Sequence, residues 1–432
     1  MNFACDGFYG VLFAIEGITD GRAVLNGPTG CRGTPAYFSD ASFPRQNVLR
    51  TERYEEPFFF GLSRIPCTFL DADDYIAGAG EKLEAVLAKI AENPCGFTAV
   101  VNSPGASLIG DDLAGYVREA GIADRCMVFE TAAYSKPVFA GFDMAVTGIL
   151  RWMRLNRLPK SGMRVNLLGL SLYHKHWEGT RAELIKICEL MGLSVVAVPC
   201  CGSTIAEIRE SATASYNVVV FPEYAKETAE WYERELGIPA IRSPSGAPIG
   251  FSATEEWICC VARETGADPR KALGYLKELR YTAYHALSRY YNELGLVKGM
   301  SFSVKADASV ALPLVRWLYT YLGMCPVAVR VSPDSDVSAG DALTAFLSDC
   351  GLETVLSCRP EDADADVFFG DGLTGMIFWR KGCCRSFVDM ANEPGISIDV
   401  VAKTHLGGIG ALYLLEQILN AANQIQYQNI FK

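Results

Sequence analysis

The sequence predicts an α/β protein built on parallel sheets with helices packed on both faces. Runs such as FTAVVN (97–102), MRVNLLGLS (163–171) and NVVVF (217–221) are mostly apolar rather than alternating, as strands buried on both faces are. Each leads through a Gly- or Ser-rich turn or loop into an amphipathic helical stretch, the pattern of helix-covered parallel sheets. That rhythm recurs in all three thirds of a 432-residue chain, which exceeds what one hydrophobic core usually organises.

In the first third, FTAVVNSPGASLIGDDLAGYVREAG (97–121) reads as strand, turn and helix. In the middle, 163–171 is a buried strand, and NVVVFPEYAKETAEWYERELGIPAI (217–241) repeats the unit. In the last third, GMSFSVKADASVALPLVRWLYTYLGMCPVAVRVS (299–332) is another, followed by DADVFFGDGLTG (364–375). A long helical stretch, 270–295, bridges the second and third units. Boundaries fall near RLPKSGM (157–163) and LGLVKGM (294–300). The expectation is three Rossmann-like domains, 1–158, 159–297 and 298–432, with a cleft among them.

Half of the residues are hydrophobic, 21% are charged, and the formal net charge is −11. No Lys/Arg cluster stands out, which argues against a nucleic-acid partner. The N-terminal MNFACDGFYGVLFAIEG lacks a basic segment and contains Asp6 and Glu16, so it does not read as a signal peptide. No apolar run approaches the roughly 20 residues of a membrane span. A cytosolic protein without a membrane partner is expected. The 15 cysteines are dispersed apart from the pairs Cys200–Cys201, Cys259–Cys260 and Cys383–Cys384. A reducing compartment disfavours disulfides, and the absence of CxxC and CxxH spacings excludes a zinc ribbon. Most of these thiols read as small core residues.

GPTGCRGT (27–34) lacks the lysine of a phosphate-binding loop, and HLGGIGAL (405–412) misses the dinucleotide spacing. YHKHW (173–177) alternates as a strand would, with both rings on one side, but a matching third zinc ligand is missing. It reads as a polar strand end. Cys31 is different. It follows a turn in which Gly27 and Gly30 allow close approach of a bulky ligand and Pro28 stiffens the loop. A helix N-terminus there offers N–H groups that favour a thiolate, the form that ligates soft metals and iron–sulfur clusters. Cys5 lies 26 residues upstream and Cys67 sits beside Pro66.

Taken together, GITDGRAVLNGPTGC (17–31), TAVVNSPGASLIGDDL (98–113), STIAEIRESATASYNVVVFPEY (203–224), LGIPAI (236–241), GAPIG (246–250) and THLGGIGALYLLEQILN (404–420) resemble component 1 of the nitrogenase superfamily. That superfamily includes the nitrogenase α and β subunits, dark-operative protochlorophyllide reductase and nickel-sirohydrochlorin reductive cyclase. The resemblance implies an oxidoreductase subunit that binds an iron–sulfur cluster, [4Fe-4S] or a larger P-cluster-like one, at a subunit interface. Cys5 and Cys31 match the first two cluster cysteines. The third position reads Ser103-Pro104, with Cys67 as its replacement and Ser103 as a second contact or a helix cap. The cofactor-anchoring cysteine falls near Phe221, which cannot ligate iron, so dinitrogen reduction is not expected. Glu223 and Tyr224 beside that position, and His405 about one residue from the family's cofactor histidine, are the catalytic candidates; each also reads as a solvated loop residue. The implied partners are a second component 1 chain, identical or paralogous, an ATP-dependent iron–sulfur reductase, and a small-molecule substrate. A scaffold for metallocluster assembly and a cluster-free small-ligand-binding protein are the alternatives.

Overall fold

The computed structural model describes residues 5–33, 65–92, 94–131, 133, 135–160, 162–295, 297–391, 397 and 399–430. Among them no helix is long and apolar enough to cross a membrane. The chain divides into two compact units. One comprises Met1–Pro159, Val196–Thr213 and Lys226–Gly237; the other comprises Lys160–Val195, Ala214–Ala225 and Ile238–Lys432.

The first unit holds strands β1 (Gly21–Asn26), β2 (Phe97–Asn102) and β3 (Cys126–Phe129), parallel and in that order. Its helices are α1 (Gly7–Glu16), α2 (Gly80–Glu92), α3 (Leu113–Glu119) and α4 (Val138–Trp152). The apolar runs pack as their pattern requires: Val24 and Val100 from the sheet meet Leu83, Leu87, Leu113 and Val117 from α2 and α3. The apolar N-terminal stretch is α1, a core helix buried at every residue except Tyr9. Asp6 starts it by accepting the Phe8 and Tyr9 N–H groups at 3.0 and 3.4 Å.

A buried carboxylate on α4 organises a second helix of this unit. Asp143 accepts the N–H groups of Glu227 and Thr228 at 2.6 and 2.9 Å, capping the short helix Lys226–Trp231 from outside. Burial nonetheless dominates and raises its carboxyl to about 6. Because the folded value lies above the unfolded 3.8, Asp143 favours folding most below pH 3.8 and loses that contribution as pH rises through about 6. The shift corresponds to a change on the order of 3 kcal/mol. Asp143→Asn, which keeps an acceptor but cannot ionise, is expected to flatten the stability profile between about pH 4 and 7 in urea titrations. Parallel profiles for the two proteins would show that Asp143 does not titrate in this window.

The second unit holds two sheets. Their strands are β4 (Arg164–Leu168), β5 (Ser194–Ala197), β6 (Tyr216–Val219), β7 (Ala240–Arg242), β8 (Ser301–Ala306), β9 (Cys325–Val331), β10 (Ala365–Asp371) and β11 (Cys384–Ala391). The orders are β5-β4-β6-β7 and β11-β10-β8-β9. The pairs β4–β6, β6–β7, β8–β9, β8–β10 and β10–β11 are all parallel. Helices α5 (Trp177–Leu190), α6 (Gly250–Thr265), α7 (Arg270–Leu294), α8 (Ala308–Arg316), α9 (Val337–Asp349), α10 (Gly372–Lys381) and α11 (Gly407–Ile430) complete it. The α/β class and the long helix expected at 270–295 are both present.

One local reading changes. YHKHW is not a strand end but a turn leading into α5, with His176 in the left-handed region at φ 59°. The rings of His174 and His176 therefore enter different clusters. The glycines of HLGGIG serve packing. A side chain at Gly407, where φ is +74°, would meet Glu183 at 2.5 Å, and one at Gly408 would meet Leu279 at 2.5 Å. Glu183 accepts the N–H groups of Gly408 and Ile409 at 3.1 and 3.3 Å and the Tyr275 hydroxyl at 3.0 Å. A carboxylate fills the start of α11, where a phosphate would otherwise be held.

Candidate functional site

Strands β1 and β2 end side by side, with Asn26 Nδ2 donating to Asn102 Oδ1 at 2.9 Å. Residues 66–70 run along β1 as an added edge. Leu25 N–H donates to Pro66 O at 2.8 Å, Thr68 N–H to Leu25 O at 3.1 Å, and Leu70 N–H to Gly27 O at 3.0 Å. This addition brings Cys67 beside Gly27, and its Sγ donates to the Gly27 carbonyl at 3.2 Å while accepting the Phe69 N–H at 3.4 Å. Phe69 adopts φ 53°, and the Arg32 guanidinium lies 5.5 Å over its ring.

Cys31 sits in the first turn of the helical residues 29–33, where its N–H donates to Pro28 O at 3.1 Å. It is half-buried, as is Cys5, whereas Cys67 is buried. The net surroundings favour the thiol over the thiolate here. Burial pushes the Cys31 thiol up from its ordinary value, and the carboxylate of Asp6, next to Cys5 in the chain, adds to this. Burial also raises Cys67, opposed by the Phe69 N–H and by Arg32, with Cys31 raising it further. Cys31 and Cys67 thus share one electrostatic neighbourhood. Among the described residues, no group of three or more His, Cys, Asp or Glu gathers as a complete metal site would.

Ser103 is fully buried beneath this edge; its N–H donates to Asn26 O at 2.8 Å and its hydroxyl accepts the Ala106 N–H at 3.3 Å. The Tyr75 hydroxyl also pairs with it. Its oxygen thus already has two partners, the Ala106 N–H and the Tyr75 hydroxyl. Gly27 packs so closely that a Cβ there would lie 2.7 Å from the Ser103 side chain, whereas Gly30 is exposed and faces open space. Gly27 is required by the protein's own packing; Gly30 is not.

The catalytic candidates lie in the second unit, and none is a solvated loop residue. Glu223 is buried just after β6. Its Oε1 accepts the N–H groups of Ser309 and Asp336 at 3.0 and 3.3 Å, and its Oε2 accepts the Ser309 hydroxyl at 2.6 Å. It holds the start of α8 against the approach to α9. Asp307 beside it is raised to about 7, by burial first and by Glu223 second. Tyr224 is buried, with its ring 4.5 Å from that of His174. Phe221 stacks on His174 at 3.9 Å and 9°.

His405 belongs to a separate cluster. It is buried, 4.9 Å from the ring of His176 and 5.5 Å from that of Tyr413, and burial holds its imidazole well below the ordinary value, hence neutral. At the centre is Lys175, only 4% exposed, whose ammonium lies 3.1 Å from Asp389, 3.0 Å from Asp399 and 2.5 Å from the Ser397 hydroxyl. The sequence names this lysine within YHKHW but carries no local sign of its partners, which are more than 200 residues away.

The family model "Nitrogenase component 1 type Oxidoreductase" matches residues 7–366, a span that includes Cys31, Cys67, Ser103, Glu223 and Tyr224 but not Cys5 or His405. One subunit of the light-independent protochlorophyllide reductase of Rhodospirillum rubrum is 30% identical over 178 residues, 38% of this chain and 32% of the relative. Its counterpart in Jannaschia sp. is 30% identical over 280 residues, 64% of this chain and 52% of the relative. The chain thus spans a third to a half of the length of these curated relatives. A solved structure described as nitrogenase Cp1 at pH 6.5 superposes with a TM-score of 0.72, covering 98% of this chain and 94% of that one at 16% identity, a likeness of fold. With most of its length matched by the family model and the fold shared, the chain belongs to the nitrogenase component 1 type oxidoreductases.

Proposed function

We propose that this chain is the substrate-reducing partner of an ATP-dependent iron–sulfur reductase, in the cytosol, and that it holds an iron–sulfur cluster at an interface with a second component 1 chain. The observation that carries the reading is the convergence of Cys31 and Cys67 at the carboxyl edge of the first sheet, from positions 36 residues apart in the sequence. Cys5, adjoining Asp6, supplies a further thiol. Fewer than four thiols per chain fit a cluster completed by a second subunit. When bound, the cluster supplies one-electron redox chemistry; this chain's part is to hold it through thiolates whose protons must first leave. Phe221 in place of a cofactor cysteine fits a substrate other than dinitrogen. Within this reading Glu223, Tyr224 and His405 act by positioning: Glu223 holds the start of α8, Tyr224 packs against the His174 ring, and His405 against those of His176 and Tyr413.

The test is anaerobic purification with reconstitution, followed by iron and sulfide analysis. Wild type is expected to be brown with roughly two or more irons per chain, and Cys31→Ala and Cys67→Ala to lose most of this. Because both thiols are raised, loading should be faster toward alkaline pH. Colourless wild type, or iron content indifferent to both substitutions, would overturn the proposal in favour of a cluster-free binding protein.

A further inference from the structure

Helix α7 presents a face that the core covers only in part. Leu276, Arg280, Tyr284, Leu287 and Tyr291 recur at intervals of three and four residues, so they share one side of the helix over about 22 Å. Tyr284 is 66% exposed, Tyr281 52% and Tyr291 41%, so these rings are not committed to the core. The face is not flat. Tyr321, Leu322 and Gly323, between α8 and β9, stand across from it, and two hollows of about 470 and 550 Å³ lie there. Each has the volume of a small-molecule site. Tyr284 and Tyr321 line both, so the hollows form one groove with these two rings at its middle.

Lys298 comes just before β8 and Gly323 just before β9, which places the groove at the amino ends of these parallel strands. Open α/β sheets take their usual ligands at the other end. None of the site residues named above lines it. The charged groups that do, among the described residues, are Lys277, Arg280 and Lys298 against the single carboxylate of Glu255, in a chain of net charge −11. Arg280 Nη2 donates to Glu255 at 2.7 Å, and the guanidinium lies 5.6 Å from the centre of the Phe251 ring. This pairing orients the fork without using all of its donors; Nε is buried with no partner among the described residues. Lys277 and Lys298, one in each hollow, lie 5.8 and 5.7 Å over the rings of Tyr281 and Tyr291. A second copy of this chain would set these cations against themselves across a twofold axis. Cations beside aromatic walls fit an occupant that is both anionic and aromatic.

We propose that this groove binds a small aromatic anion, an aryl carboxylate or sulfonate, with its ring against Tyr284 and Tyr321 and its acid group toward Lys277 and Arg280. The tyrosine rings supply rigid apolar surface at little cost in conformational entropy, and the cations supply charge-assisted hydrogen bonds. Binding here requires neither the cluster nor its cysteines.

The test uses the full chain, without reconstitution, and the probe 1-anilinonaphthalene-8-sulfonate, an aromatic anion whose fluorescence rises in an apolar site. Wild type is expected to bind it saturably at a single site. Tyr284→Ala and Lys277→Glu should each weaken binding about 10-fold, and Lys277→Arg should retain most of it. Tyr290→Ala, exposed on the same helix but lining neither hollow, should leave binding unchanged. Naphthalene-2-sulfonate should displace the probe about 10-fold better than the neutral naphthalene-2-sulfonamide. The substituted side chains are exposed, so each variant should keep the wild-type urea midpoint. Fluorescence that does not saturate, unchanged binding by Tyr284→Ala or Lys277→Glu, an equal loss in Tyr290→Ala, or equal displacement by the neutral analogue each overturns the proposal, because the dye then adsorbs to apolar surface at large.

Discussion

Lys175→Met is expected to lower stability by about 3–5 kcal/mol, the usual consequence of removing one partner from a buried ion cluster. The substitution leaves Asp389 and Asp399 facing each other's charge without the ammonium 3.1 and 3.0 Å away. Asp399 keeps Lys403 at 3.3 Å, but no other cation is paired with Asp389 among the described residues. The pH dependence has a definite sign. Burial already raises Asp389 to about 6 despite Lys175, so its favourable contribution is present below its unfolded value of 3.8 and is lost as pH rises through about 6. Without Lys175 that carboxyl is raised further, and the deficit of the variant should grow from pH 5 to pH 8. Urea midpoints across this range measure it, and Lys175→Met/Asp389→Asn should recover a large part by removing the stranded charge. Equal midpoints for wild type and the single variant would mean that water, not Lys175, solvates these carboxylates.

Gly141→Ala should cost about 3 kcal/mol, at the upper end of overpacking penalties. Helices α1 and α4 cross with their backbones in contact at this point: a Cβ on Gly141 would overlap the Gly7 carbonyl, and one on Gly10 the Val138 carbonyl. Neither obstruction is a movable side chain, so relief requires the helices to separate. Gly148 on the same helix provides the contrast. A Cβ there would lie 3.3 Å from the end of the flexible Met127 side chain. Gly148→Ala is therefore expected to be neutral or to stabilise by up to about 1 kcal/mol, through helix propensity alone. Opposite signs for one substitution at two positions of one helix test the close crossing directly; equal effects would refute it.

Part of the candidate site is legible in the residue order alone. Cys31 stands out because a turn rich in Gly and Pro precedes it, a local feature of chemistry and conformation. Glu223 stands out only by adjacency to Phe221, and its actual task, accepting three hydrogen bonds from Ser309 and Asp336, involves residues about 90 to 110 positions away. YHKHW misleads because alternation of types suggests a strand, whereas His176 takes a left-handed conformation and sends its ring away from that of His174. A pattern of residue types cannot distinguish the two without the neighbours that reward each rotamer.

Local patterning accounts for the α/β class, the succession of strand, turn and helix, and the long helix at 270–294, because periodicity and turn chemistry act over a few residues. It also states which thiols and imidazoles exist to be used. Long-range packing was needed for the rest: residues 66–70 join β1 and carry Cys67 to Cys31, Lys175 is neutralised by Asp389 and Asp399, and His174 is stacked on Phe221. Charge, protonation and access are set by desolvation and by what packs across long sequence separations, and neither quantity is a property of any local stretch.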